Sequence, residues 1–427
     1  MQVPGAKYFG LRMKHVAAPR DKSSCLDAAF EFEEPYGARY FPRDSIDGLL
    51  VGLPRAVWRW PGQLDKQRFD KAAAWKFTCT DCSEQMIHYK ILGGRLYVSN
   101  SVRPPEFYRA NVEEMLNVLL YLFPMPDMEF LVFIGDGCVA MPVLQWNVCF
   151  HHGHPGFTMP TYSAWARAMG RSQMAAYHSC LQQRYPAHRR KPLAVWRGAN
   201  TNTFGKITED NYMRAVRVQL HLLGRNHSDV LDARIYKLVP ENTGDFIRGF
   251  LNDLGPQMPS EDYNRYCVII DVDGNGWSDR FGTALIHYPT PVLKMASNYS
   301  AFFEHLYAPG VAIEQFSPDL SDLLGAVQHM VADCKRGGSR SYGQRLARTM
   351  QATSRALMDQ IGVAEAMAYS LLTYKNLTSW PLDPSTEGFS EVDPSCCKHA
   401  KLPALFARAV SRRLIDGRVP AAAGALV

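Results

Sequence analysis

The stretch from Tyr266 to Gly282, YCVIIDVDGNGWSDRFG, constrains this chain more than any other. Cys267 to Val272 is a β-branched apolar run, the pattern of a buried strand. Gly274 and Gly276 break it, and glycine tolerates positive φ and lets backbone approach a ligand closely. Phe281 to Tyr288 then reads as the opening of a helix. Strand, glycine loop and helix start place backbone N–H groups and the positive end of a helix where they can hold a phosphate. Arg280 adds a charged donor for the same anion.

On spacing alone, three other readings of the stretch stay open. Asp271, Asp273, Asn275 and Gly276 match the D-x-D-x-N-G of a calcium loop. The position where that loop needs a bidentate Glu is Gly282, and a strand rather than a helix precedes it. Asp271-Val-Asp273 also matches the metal-binding D-x-D of metal-dependent sugar transferases. The third is an ordinary strand–turn–helix with Asn and Gly supplying the turn.

At 427 residues the chain suggests two or three domains, and with 47% hydrophobic and 21% charged residues it has the composition of a soluble globular protein. A net charge of +6, spread along the chain apart from a cluster between Lys335 and Arg348, is too mild to argue for a nucleic-acid partner. The most apolar region, Val118 to Leu144, is interrupted by Pro124, Pro126, Asp127, Glu129 and Asp136, so it reads as core and no membrane span is expected. The first residues lack the apolar core of a signal peptide. Ten cysteines permit a few bridges without making a disulfide scaffold. Sequons at Asn226, Asn298 and Asn376 are compatible with a secretory compartment.

Along the chain, residues 1–25 are polar and aperiodic and are expected to be poorly ordered. Arg95–Ser99 reads as a strand after the Gly93-Gly94 turn, and Asn111–Phe123 as a helix ending at Pro124. Phe130 to Ile134 is a continuous apolar run typical of a strand buried in a parallel sheet. Asp136 sits just past its end, flanked by Gly135 and Gly137, where a carboxylate can serve as general base or simply as a turn residue. Cys79-x-x-Cys82 and His151-His152-Gly-His154 look metal-like, but the first lacks a matching pair and the second reads as loop.

Pro186–Pro192 reads as a surface linker between domains, followed by a strand from Leu193 running into Arg197-Gly198-Ala199 and a Thr/Asn loop. A helix over Asp210–Leu223, a strand over Val230–Val239, strands near Val292–Met295 and Val311–Phe316, and helices near Ser300–Tyr307 and Asp319–Cys334 follow. That alternation predicts a parallel sheet covered on both faces. Gln344–Tyr374 is helical in pattern, and the tail from Pro381 reads as peripheral.

Taken together, Ala194–Thr201, Tyr266–Leu285, Pro291–Met295, Glu304–Leu306, Ser317–Leu323 and the helical segment to Tyr374 resemble glycosyltransferase family 90, the capsule-associated-protein type of domain. That family includes the protein O-glucosyltransferases. Met125–Asp136 is similar to the family's strand ending in its catalytic aspartate, and Thr158–Trp165 to the aromatic stretch that lines the acceptor side. The resemblance implies an α/β GT-B-like fold of two Rossmann-like domains, with parallel sheets facing a nucleotide-sugar cleft. The expected division is an acceptor-side domain over residues 26–188, a nucleotide-sugar domain over 189–350, a helical segment over 351–380 and a tail over 381–427.

By the same resemblance, the activity is inverting transfer of glucose or xylose from a UDP-sugar to a hydroxyl of a protein or glycan. Asp136 becomes the general base. Arg197, Gly198, Ala199, Asn275, Gly276, Trp277, Ser278, Asp279 and Arg280 become the nucleotide-sugar site. Arginine and backbone amides take up the diphosphate charge, so no metal or other cofactor is required, and Asp271 and Asp273 brace the loop. The family points to the endoplasmic reticulum or Golgi lumen. Ala199 and Gly205-Lys206 stand where animal O-glucosyltransferases carry a serine and a downstream arginine, while Asn211 and Arg214 look closer to fungal and plant members. Those differences keep open a reading from another class, an inactive relative that binds a glycan or nucleotide.

Overall fold

A computed structural model describes residues 24–30, 62–74, 86–101, 106–122, 125–146, 148–149, 156–337 and 341–393. Residues 1–23, Cys79, Cys82, the histidines at 151–154 and Cys396-Cys397 lie outside the described residues. The chain carries two main sheets. Its strands are β1 (Met86–Leu92), β2 (Arg95–Ser99), β3 (Met128–Phe133), β4 (Leu144–Gln145), β5 (Val148–Cys149) and β6 (Phe157–Thr158) in the first part. Then come β7 (Lys191–Ala199), β8 (Leu231–Lys237), β9 (Tyr266–Asp271), β10 (Val292–Met295), β11 (Tyr299–Ser300), β12 (Glu314–Phe316) and β13 (Phe389–Glu391).

The first sheet has the order β13-β2-β1-β3-β4-β6 and is mixed, where a parallel one is implied by the resemblance. The hairpin is the cause. Gly93 and Gly94 both take positive φ, +56° and +76°, the left-handed pair that a two-residue turn needs, and Leu92 pairs with Arg95 across it. β1 therefore runs antiparallel to β2; it also pairs antiparallel with β3 on its other edge, and only β3, β4 and β6 are parallel. β3 is buried along its whole length, as its apolar run requires, and packs with the Glu106–Leu122 and Gln360–Leu377 helices into one core.

The second sheet, β12-β10-β9-β7-β8, is parallel throughout, as the alternation of strand and helix predicts. Cys267 on β9 is disulfide-bonded to Cys334 on the Leu323–Arg336 helix, fixing that helix against the sheet. A second bridge, Cys25–Cys180, ties the short Cys25–Phe30 helix to the Arg171–Arg184 helix. No described helix is long and apolar enough to cross a membrane.

Local readings differ where a side chain or a buried cluster overrides periodicity. Asn211 accepts from the Thr208 N–H and donates to the Lys206 carbonyl, so the segment from 210 turns and the helix begins only at Val216. Ser300–Tyr307 is not a helix but β11 and a single 3₁₀ turn, because Phe302, Phe303 and Tyr307 are all drawn into the aromatic core around Trp277 and Phe281. Gln344–Tyr374 is two helices, Tyr342–Leu357 and Gln360–Leu377, broken where Asp359 caps the second through the Gly362 N–H at 2.8 Å. After Asp279–Thr283 the helix opening expected to reach Tyr288 tightens into a 3₁₀ turn, Leu285–His287. Near Val311 the expected strand is confined to β12, after a turn at Gly310 with φ +74°.

Pro186–Pro192 is not a surface linker throughout: Arg190 is buried, donating to the carbonyls of Tyr185 and Pro289. The tail from Pro381 supplies β13 at the edge of the first sheet, and the buried Lys90 ammonium holds it through the carbonyls of Asp383 and Ser385.

Candidate active site

β7 and β9 are neighbours, and the loops that leave their C-terminal ends face each other, the position at which open parallel sheets bind ligands. The loop after β9 is stitched from beneath. Ser278 Oγ donates to the buried Asp271 carboxylate at 2.5 Å, and the Ser278 N–H to Asp273 at 3.3 Å. Ser297 Oγ donates to the other Asp273 oxygen at 2.5 Å. Lys294 of β10, with no exposed surface, stands 3.8 Å from both aspartates and 3.9 Å from Glu304. Burial opposes its charge, yet Asp273, Asp271 and Glu304 together hold its pKa above the usual lysine range. Burial raises the Asp271 pKa, with Lys294 and Ser278 pulling it back. These bonds engage both aspartates inside the loop, and among the described residues no group of three His, Cys, Asp or Glu side chains has metal-binding geometry.

Gly274 serves close approach rather than a left-handed turn. A Cβ there would lie 2.6 Å from Thr201 Oγ1 and 2.7 Å from Arg217 Nη2. Arg217, at the start of the Val216–Asn226 helix, was not singled out by its sequence, where it is one arginine of many. Its guanidinium donates to the carbonyls of Ala199, Val272 and Asp273 and to Thr201 Oγ1, locking the loop after β7 to the loop after β9. Burial, and Arg280 nearby, lower its pKa to about 10, so it remains charged at neutral pH.

Arg280 is half-buried, with its Nη1 2.6 Å from the Arg197 carbonyl and its guanidinium 5.5 Å from the centre of the Tyr263 ring. Tyr263 donates to the same carbonyl at 3.3 Å. The Arg197 side chain itself turns away, paired with Asp232 at 2.7 Å and bonded to the carbonyls of Trp196 and Asp232. Gly198 is required by that packing, since a Cβ would sit 2.4 Å from the Trp196 ring. Of the Arg197-Gly198-Ala199 segment, therefore, the backbone carbonyls serve the site and the guanidinium does not reach it.

Across from the loop, β3 ends and Asp136 projects into solvent. Asp136, Tyr162, Arg217, Arg280 and the residues from Gly274 to Asp279 line one cavity of about 250 Å³. Asn275 Nδ2 donates to Asp136 Oδ2 at 3.4 Å. Asp279 opens to this cavity although protein crowds its base. That crowding raises its pKa, while hydrogen bonds from Ser163 and Thr161 oppose the rise and the Asp136 charge adds to it. A neighbouring cavity of about 420 Å³ shares Thr201, Arg217 and Gly274 and is lined by Phe204, Tyr299 and Arg214, whose guanidinium stacks 5.0 Å from the Phe204 ring. The two form one groove, lined by the exposed Asp136 carboxylate and by the guanidinium groups of Arg214, Arg217 and Arg280.

The structure thus brings together Asp136 and Asn275, Gly276, Trp277, Ser278, Asp279 and Arg280 around one cavity. It places Arg197, Gly198 and Ala199 behind that cavity's wall, in contact with Arg280 and Arg217. No curated protein matches the chain. The model of glycosyl transferase family 90 matches residues 63–378, a span that takes in every strand of both sheets except β13, and the whole groove. The chain belongs to glycosyltransferase family 90.

Proposed function

We propose that this glycosyltransferase moves a sugar, glucose or xylose, from a UDP-sugar to a hydroxyl of a protein or glycan, with inversion at the transferred carbon. The observation that carries the reading is the Asp136 carboxylate facing the Asn275–Arg280 loop across the 250 Å³ cavity. A diphosphate held on the loop side leaves Asp136 on the opposite face of the sugar. There it takes the proton of the acceptor hydroxyl as that oxygen attacks the anomeric carbon. The C–O bond to the diphosphate breaks as the new glycosidic bond forms, and the departing UDP carries the developing negative charge.

Arg280 and Arg217 stand where that charge develops, and their guanidinium groups are already oriented by fixed carbonyls, so little reorganisation is needed. Two fixed cations supply the charge neutralisation, and the reading requires no metal. The second groove compartment, with Phe204 and Arg214, suits a planar base and its ribose. We read the mixed and parallel sheets as the two halves of a GT-B arrangement, divided near residue 189. The disulfides Cys25–Cys180 and Cys267–Cys334 fit an oxidising compartment such as the endoplasmic reticulum or Golgi lumen.

The test is a panel of UDP-sugars, with UDP release followed with and without peptide and glycan acceptors. Acceptor-stimulated release from one donor is expected. Absence of binding by every nucleotide sugar at millimolar concentration overturns the reading. Saturable UDP binding without transfer or slow hydrolysis would instead assign the chain to inactive, ligand-binding relatives.

A further inference from the structure

A cavity of about 980 Å³ lies at the other end of the parallel sheet from the groove. Its wall includes the residues that lead into β7 and β9, whereas the groove follows the ends of those strands, and nine residues of β7 span roughly 25 Å. Its charged lining is unbalanced. Glu261 is already engaged, accepting the N–H groups of Cys25 at 3.0 Å and Leu26 at 2.9 Å and lying 3.6 Å from Arg184. Asp262 accepts from Tyr185 at 3.0 Å and pairs with Arg265 at 3.1 Å. Against these stand Arg189, Arg190 and Lys191, for which no carboxylate partner occurs among the described residues.

Arg190 is the most telling of the three. Only 9% of it is exposed, and although Nη2 donates to two carbonyls, Nε and Nη1 have no acceptor among the described residues. Burial lowers its pKa to about 10, with no nearby acid to offset the loss of water. A buried guanidinium left uncompensated destabilises a fold, and an oxyanion is the group that satisfies both its charge and its unused donors.

We propose that this cavity binds a small polyanion of about disaccharide size, bearing two or more carboxylate, sulfate or phosphate groups. Arg190 is the buried anchor, and the exposed Arg189 and Lys191 stand beside it at the opening. The volume lies at the upper end of the range for small-molecule sites. The proposed sugar transfer uses none of these groups, so the site is separate from the groove and its ligand does not compete with UDP.

Calorimetric titration of the full chain with inorganic phosphate, citrate and a sulfated disaccharide, each with and without UDP, tests this. At least one polyanion is expected to bind saturably, tenfold or more tighter than phosphate and unaffected by UDP; the tighter of the two polyanions identifies the frame. Arg190→Gln is expected to weaken that binding by about tenfold or more. If circular dichroism shows that variant unfolded, the surface double variant Arg189→Ser/Lys191→Ser is read in its place, with a severalfold loss and a shallower salt dependence expected. The proposal is overturned if neither polyanion binds more tightly than phosphate, if UDP displaces the bound polyanion, or if affinity is unchanged in the variant read.

Discussion

The Asn275 side-chain amide donates to the Asp136 carboxylate at 3.4 Å, joining the loop after β9 to the loop after β3. One end of the contact belongs to the loop proposed to hold the leaving diphosphate, the other to the carboxylate proposed as the base. The separation of roles along this line generates distinct expectations for variants on each side of it.

Arg280 and Arg197 should behave differently although they meet at one carbonyl. Arg280→Ala removes a cation from the cavity and should weaken UDP binding by about 10- to 100-fold, the range for a charge-assisted hydrogen bond. Arg197→Ala breaks the pair with Asp232 instead and should lower the unfolding midpoint more than it changes UDP affinity. Titration calorimetry and thermal unfolding on both variants check the contrast; equal losses of UDP affinity would put the Arg197 guanidinium in the site.

Gly274→Ala should displace Arg217 or Thr201, because the added methyl has no space beside either. Loss of about tenfold or more in kcat/KM, with a smaller change in stability, is expected from a shifted loop. A crystal structure of the variant would show Arg217 moved from the Val272 and Asp273 carbonyls.

Lys294→Met leaves the buried Asp271 and Asp273 and the partly buried Glu304 around an uncharged side chain. Breaking a buried ionic cluster in this way costs about 3–5 kcal/mol. Denaturant unfolding should show that loss, and the loop should lose its protection from hydrogen exchange before the sheet does.

Acid should destabilise the fold through His178 and His287, which are buried with their ring nitrogens 3.3 Å apart. Burial holds both pKa values below the usual histidine range, that of His287 at about 4. The unfolded chain binds the proton first, so stability is full above pH 6.5 and falls as the pH drops toward 4, by about 3 kcal/mol for His287 alone. Denaturant midpoints at pH 7, 5.5 and 4.5 measure the slope, and His287→Asn should flatten it.

Much of the parallel sheet was legible because its strands are continuous apolar runs punctuated by glycine, and β7, β8, β9 and β10 fall where those runs lie. The mixed character of the first sheet was not legible at β3, whose apolar run looks the same in either direction. Its orientation is decided by the Gly93-Gly94 hairpin and by pairings made far along the chain. Within the groove, Asp136 and the Asn275–Arg280 loop carried local signals, an acid after a buried strand and a glycine-rich break. Arg217 carried none, since its role comes from four acceptors on two distant loops. Arg197 is the complementary case: its position beside Gly198 is informative, but the direction of its side chain depends on Asp232, 35 residues away.

If Asp136 takes the acceptor proton, turnover of Asp136→Asn with the donor that the panel identifies reads that role without an intermediary. The amide preserves the shape of the carboxylate and cannot accept the proton. kcat should fall by about 10²- to 10⁴-fold, with UDP affinity within about twofold of the parent. An unchanged kcat would contradict it.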